Sequence, residues 1–137
     1  MSDDASRQTD SYTAMIAAVQ AFHDKYEFQK DGGEDLTYRV ALMAEELGEI
    51  SSVITKGQGT EALAEECADL FILVLGTAIS AEFDLKGAFW AKMERLMGRE
   101  KRMINGRVRV SATFGDEAAA PGIPPGSTPE STSGSAG

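Results

Sequence analysis

Apolar residues recur at helical spacing in successive stretches of the chain. Met15, Val19, Phe22 and Tyr26 fall three or four residues apart and predict a first helix from about Ser11 to Phe28, with Asp10 or Ser11 as N-cap. The run Gln29 to Asp35, containing Gly32-Gly33, reads as a loop. Val40, Met43, Leu47, Ile50 and Ile54 predict the core stripe of a second helix over Leu36 to Lys56, closed by a left-handed Gly57. After the short connection Gly57-Gln58-Gly59, Thr60 is the expected N-cap of a third helix, Glu61 to Phe83. Between Leu70 and Leu75 this helix is apolar on every side, which predicts a central, buried element. Gly76, Ala78 and Ala81 give it a small-residue face for close helix packing, and a plausible surface for subunit contact. Asp84 is placed to cap a fourth helix, Leu85 to Arg102.

Beyond that helix the pattern changes. Asn105-Gly106 is a turn signal, and Arg107-Val108-Arg109-Val110-Ser111 alternates as an extended arm would. One strand alone is not stable, so the arm is expected to pack on the bundle or on a partner subunit. From Gly115 onward the chain is rich in Pro, Gly, Ser and Ala and reads as a disordered tail, as do the polar residues 1–10. The expected organisation is therefore a disordered N-terminus (1–10), one all-α, four-helix domain with a short C-terminal arm (11–114), and a disordered tail (115–137).

Length and composition narrow the class. The 137 residues are enough for one domain, and an apolar fraction of 42% is sufficient for one core. A net charge of −9 argues against a general nucleic-acid binder. Cys67 is the only cysteine, so no intrachain disulfide forms and a reducing, cytoplasmic setting is expected, with Cys67 itself expected to be core-packed. The first ten residues lack a basic and an apolar region, so no secretory signal is read there. No apolar run approaches the roughly 20 residues that a bilayer crossing takes, and no membrane partner is expected.

The charge is distributed unevenly. Residues 35–84 hold ten acids against Arg39 and Lys56, whereas residues 86–109 hold eight bases against Glu94 and Glu100. Within the acidic half, Glu45-Glu46-x-x-Glu49 and Glu66-x-x-Asp69 place acids at i, i+3 spacing on two consecutive helices. Turned at 100° per residue, Glu46 and Glu49 share a sector with Leu42 and Val53, on the flank of the apolar stripe, and Glu66 and Asp69 share a face with Ala62 and Leu73. Acids embedded beside a core need a cation or a base to offset their desolvation. Hard oxygen donors from two helices suit Mg²⁺, with Mn²⁺ as substitute. Glu45 falls further toward solvent. The bland alternative is a solvated acidic face balanced by a solvated basic helix.

Other site types lack their residues. One His and one Cys cannot make a structural zinc site, and no pair of Glu-x-x-His motifs is present for a di-iron bundle. There is no EF-hand loop and no P-loop. An all-carboxylate site beside a basic helix fits metal-assisted hydrolysis of a phosphoanhydride.

The two acid motifs, their separation, the Phe22-His23 pair, the apolar helix after Asp69 and Lys92-Met93-Glu94 leading into a basic run together resemble the all-α nucleoside triphosphate pyrophosphohydrolases. That MazG-like superfamily includes the MazG proteins, the dimeric dUTPases, the dCTP pyrophosphatases and the phosphoribosyl-ATP pyrophosphohydrolases. The resemblance covers residues 12–103. It implies a MazG-like bundle that oligomerises, as a homodimer or a dimer of dimers, and hydrolysis of a nucleoside triphosphate to the monophosphate and pyrophosphate. It implies Glu46, Glu49, Glu66 and Asp69 as Mg²⁺ ligands, and Glu45 as holder of a further metal or director of the attacking water. Lys92 and Arg99, with Arg95 beside them, match basic positions that contact the triphosphate, and His23 matches a position near the base or sugar. Two positions depart from the pattern: Leu96 stands where relatives often carry Asn, and Lys56 where dCTP-preferring relatives carry an aromatic, so that Lys56 becomes the candidate substrate contact there. The alternatives are phosphoribosyl-ATP hydrolysis in the same fold, or a non-catalytic, metal-stabilised helical interaction module.

Overall fold

The computed structural model describes residues 11–110; the expectations for residues 1–10 and from Ser111 onward lie outside the described residues. The elements are α1 (Tyr12–Lys25), α2 (Leu36–Lys56), α3 (Thr60–Ser80), α4 (Leu85–Met97), β1 (Arg102–Ile104) and β2 (Arg107–Arg109). The fold is all-α, with one small antiparallel hairpin. The chain divides into two compact units after Met93, inside α4.

In the first unit, helix ends follow local chemistry. Ser11 accepts a hydrogen bond from the Ala14 amide at 3.2 Å and caps α1. Asp35 does the same for α2 through the Tyr38 amide at 2.8 Å, and Asp84 starts α4 through the Gly87 amide at 2.9 Å. Gly57 ends α2 at φ 64°, in the left-handed region expected of it. Thr60 is not the cap of α3. The helix begins at Thr60 itself, and Gly59, at φ 96° and ψ 173°, occupies the cap position without a side-chain bond. That backbone conformation is one only glycine adopts freely, so the turn into the helix falls one residue earlier than the Thr60 hydroxyl suggested.

α3 packs against both α1 and α2. The face that α2 covers is rotated by about 70° from the expected stripe, less than one residue step. Arg39 and Val53 are buried, with Leu42, Met43, Glu46 and Ile50 half-buried, whereas Val40, Leu47 and Ile54 are each about 60% exposed. The sector read as a flank is the packing face. On α1, Val19 and His23 are buried, while Met15, Phe22 and Tyr26 are exposed. α3 is likewise not covered on all sides between Leu70 and Leu75: Phe71 and Ile72 are exposed, and full burial comes later, at Leu75, Gly76 and Ala78, where α1 packs. Gly76 and Ala78 thus serve packing within the chain rather than a subunit surface, and Ala81 is the exposed C-cap.

A buried guanidinium joins these parts. Arg39 is 1% exposed. Its Nε donates to Thr77 Oγ1 at 3.1 Å, its Nη1 to the Gly33 carbonyl at 3.1 Å, and its Nη2 to the Leu73 carbonyl at 2.9 Å. Thr77 Oγ1 donates in turn to the Leu73 carbonyl at 2.7 Å. His23 is 2% exposed, with Nδ1 3.3 Å from Glu34 Oε1 and its ring 4.7 Å from that of Phe28. Burial lowers the Arg39 pKa, and the charge of Glu34 acts in the opposite sense. Gly76 makes room for this arrangement: a Cβ there would overlap Arg39 Nη2 and stand 2.7 Å from His23 Nε2. At its start, α4 faces α1 and α3 across an apolar cavity of about 460 Å³ lined by Tyr12, Phe71, Leu75, Leu85, Phe89 and Trp90.

In the second unit, α4 ends at Met97, earlier than the expected Arg102. Gly98 follows, and residues 102–104 form β1 instead. Asn105 (φ 50°) and Gly106 (φ 74°) take the two left-handed positions of a tight hairpin turn, which requires a strand on each side. The expected lone arm is therefore one half of a hairpin, with Arg102 paired to Arg109, Met103 to Val108 and Ile104 to Arg107.

Filling the space at Gly76 tests the buried guanidinium. Gly76→Ala is expected to lower stability by about 2–3 kcal/mol through overpacking, and Arg39→Met to lower it further by stranding the Leu73 and Gly33 carbonyls. Both are read as a shift in the urea midpoint at unchanged slope. A midpoint unmoved in Gly76→Ala would show that the contact is not tight.

Candidate metal centre

α2 and α3 each carry acids one turn apart, and the side-by-side packing of the two helices brings some of them together. One carboxylate oxygen from each of Glu46, Glu66 and Asp69 lies within 4.8 Å of the others. Glu46 and Glu66 are half-buried, and Asp69 is exposed. None of the three takes part in a salt bridge among the described residues. Glu49 is exposed and stands outside this trio, yet its charge acts on both Glu46 and Glu66. Glu45 is exposed, and its charge acts on Glu46.

The electrostatic consequence is one-sided. Glu46 is pushed above its ordinary value, first by burial and then by the charges of Asp69, Glu66, Glu45 and Glu49. Glu66 is raised by burial, then by Asp69, Glu49 and Glu65. Both groups resist ionisation where a cation is not present to offset it. The donor set fits a hard divalent ion. Oxygens held at the magnesium distance stand about 3 Å apart when adjacent and about 4 Å apart when opposite, so small side-chain movements bring this trio onto one ion.

Asp69 also borders an apolar groove of about 550 Å³ between α1 and α3, lined by Met15, Val19, Phe22, Phe71, Ile72 and Leu75. The other candidate residues lie as follows. His23 is buried and opens, with Glu34, Gln20 and Phe28, onto a cavity of about 400 Å³. Lys56, in the last turn of α2, and Lys92, on α4, are exposed. Arg95 is exposed and Arg99 half-buried, both in the second unit. Cys67 is exposed rather than core-packed.

The sequence pattern marks Gly76 as a close-packing position, but not that it faces buried Arg39, beside half-buried Glu34. A signal for Arg39 exists: it lies three, seven and fourteen residues before Leu42, Glu46 and Val53, hence on the same helical sector. A base on the sector that carries the embedded acids marks a face that is not merely solvated.

A raised glutamate favours the fold while protonated and opposes it once ionised. The penalty from Glu46 and Glu66 is absent below the ordinary value of 4.5 and grows as the pH rises through their raised values. Without divalent metal, Glu46→Gln is therefore expected to melt above the unaltered protein at pH 7, with the difference vanishing as the pH falls toward 4.5. Thermal scans in chelator across that range measure this. Equal melting temperatures at pH 7 would count against mutual repulsion in the trio.

Comparison with known families gives an independent result. A family model described as the MazG nucleotide pyrophosphohydrolase domain matches residues 35–104, which include both acid motifs, α4 and β1. No curated protein and no solved structure matches the chain. The family description carries a nucleotide substrate and a hydrolase activity with it. No helix among the described residues is long and apolar enough to cross a membrane. With just over half of its length matched, the chain belongs to the MazG nucleotide pyrophosphohydrolase domain family.

Proposed function

We propose that this protein is a Mg²⁺-dependent nucleoside triphosphate pyrophosphohydrolase, which converts a (d)NTP to the (d)NMP and pyrophosphate. The observation that carries the reading is the convergence of Glu46, Glu66 and Asp69, with no salt-bridged base among the described residues, in a chain of this family. A divalent ion held there supplies Lewis-acid stabilisation of phosphate oxygens and lowers the pKa of a water. Glu46, Glu66 and Asp69 hold it, and Glu49, one turn along α2 from Glu46, completes the ligand set. Glu45, on the solvent side of Glu46, orients the attacking water or binds a further ion. Lys92, Arg95 and Arg99 bind phosphate oxygens and offset the charge of the leaving pyrophosphate. Lys56 and His23 are kept as substrate contacts on the sequence reading alone.

The nucleoside is assigned to the apolar groove beside Asp69, where Phe22 and Phe71 offer aromatic surface to a base. A homodimer or dimer of dimers belongs to the same proposal. Its support is the row Val40, Leu47 and Ile54, at heptad spacing along α2 and about 60% exposed in the single chain. A cytoplasmic setting, expected from the single cysteine, is also part of it.

A pyrophosphate-release assay over a panel of (d)NTPs, with phosphoribosyl-ATP included, tests the reading. Turnover is expected with Mg²⁺ or Mn²⁺ and is abolished by chelator. Glu46→Gln and Asp69→Asn are each expected to lower kcat by about 100-fold or more, the scale of losing a group that stabilises transition-state charge. Absence of turnover over the whole panel, with Mg²⁺ still raising the melting temperature, would replace the reading by a non-catalytic, metal-stabilised module.

Phe71→Ala separates binding from chemistry. Loss of one stacking surface is expected to raise KM by about tenfold with kcat nearly unchanged. A fall in kcat at constant KM would move the nucleoside out of the groove.

A further inference from the structure

The hairpin of the second unit carries an arrangement that the metal centre does not use. In a two-stranded ribbon, side chains alternate between faces, and directly paired residues share one. The pairing of Arg102 with Arg109 and of Ile104 with Arg107 therefore puts three arginines on one face, with Ile104 at its turn end. Met103 and Val108, paired with each other, lie on the opposite face. Every residue of both strands is exposed. None of the three arginines forms a salt bridge among the described residues.

This is an unfavourable way to build a free ribbon. Like charges directly opposite one another destabilise strand pairing, and a two-stranded hairpin has little stability in reserve. The turn Asn105-Gly106 nevertheless enforces this register, because a tight two-residue connection leaves no slack for a slip. An anion lying across the arginine face turns the repulsion into attraction. Guanidinium groups suit phosphate oxygens, which they grip through two parallel N–H donors.

We propose that the arginine face of the hairpin, Arg102, Arg107 and Arg109, is a binding site for a short phosphate chain of the di- or triphosphate type, distinct from the carboxylate trio. The size of the patch selects the ligand. Paired strand residues have Cβ atoms about 5 Å apart and next-but-one neighbours about 7 Å apart, a span matched by two or three linked phosphates. An extended nucleic-acid strand needs a longer basic track than three arginines on a short hairpin supply.

The test uses the full chain with chelator present, so that neither metal nor turnover contributes and failure of the proposed hydrolysis leaves the measurement unaffected. Isothermal titration with tripolyphosphate at low salt is expected to show saturable binding that weakens as salt is added. Arg102→Gln combined with Arg109→Gln is expected to weaken it by about tenfold or more, and the paired Lys substitutions by less. Glu46→Gln with Asp69→Asn should leave it unchanged or slightly tighter. Circular dichroism confirms that the helices survive in each variant. Equal affinity in the unaltered protein and the double Gln variant overturns the proposal, as does absence of binding. A single-stranded oligonucleotide that binds about tenfold tighter than tripolyphosphate overturns it in favour of a nucleic-acid surface.

Discussion

The three hydrogen bonds of the Arg39 guanidinium are the constraint on which the first unit depends. A buried cation is costly unless every donor finds an acceptor. Here the acceptors come from three places: the α1–α2 loop at Gly33, the backbone of α3 at Leu73, and the side chain of Thr77. Glu34 places a counter-charge nearby and also meets His23, so α1 is drawn into the same polar centre. Gly76 is the complement of this centre, since only a residue without a side chain leaves room for both Arg39 and His23. Among the described residues the apolar core is small, with Val19, Val53, Leu75 and Ala78 buried, and the polar centre lies beside it.

The positions of the four helices could be read from the chain, because caps and glycines act locally. Ser11, Asp35, Gly57 and Asp84 mark boundaries whatever the tertiary structure does. Orientation was harder. Val40, Leu47 and Ile54 are apolar, and a helical wheel alone gives them to the core; the structure gives that place to Arg39, Glu46 and Val53. Apolar character at helical spacing does not by itself say which row of a helix the chain's own core takes. Arg39 was hidden for the converse reason. Its charge suggested solvent, and the carbonyls that compensate it lie 34 residues away in the case of Leu73 and on a loop in the case of Gly33.

The acid motifs were legible as a pattern because i, i+3 spacing survives any rotation of the helix. What spacing could not supply was the distinction among the members. The structure gathers Glu46, Glu66 and Asp69 and leaves Glu49 and Glu45 at the edge, acting through their charge. The hairpin was half legible. Asn105-Gly106 announced a turn, but the basic, helix-favouring run before it hid the strand Arg102–Ile104, which exists only because its partner Arg107–Arg109 does.

The Arg39 bonds to α3 also set an axial register. Arg39 meets Leu73 on the antiparallel neighbour. Seven residues further along α2 stands Glu46, and seven residues back along α3 stands Glu66. The two helices therefore behave as a vernier, in which the pin at one end determines what lies level at the other. A slip of one turn would carry the facing carboxylates about 5 Å past each other. Because the pin is a fork of directional bonds rather than a greasy contact, such a slip is an all-or-nothing event.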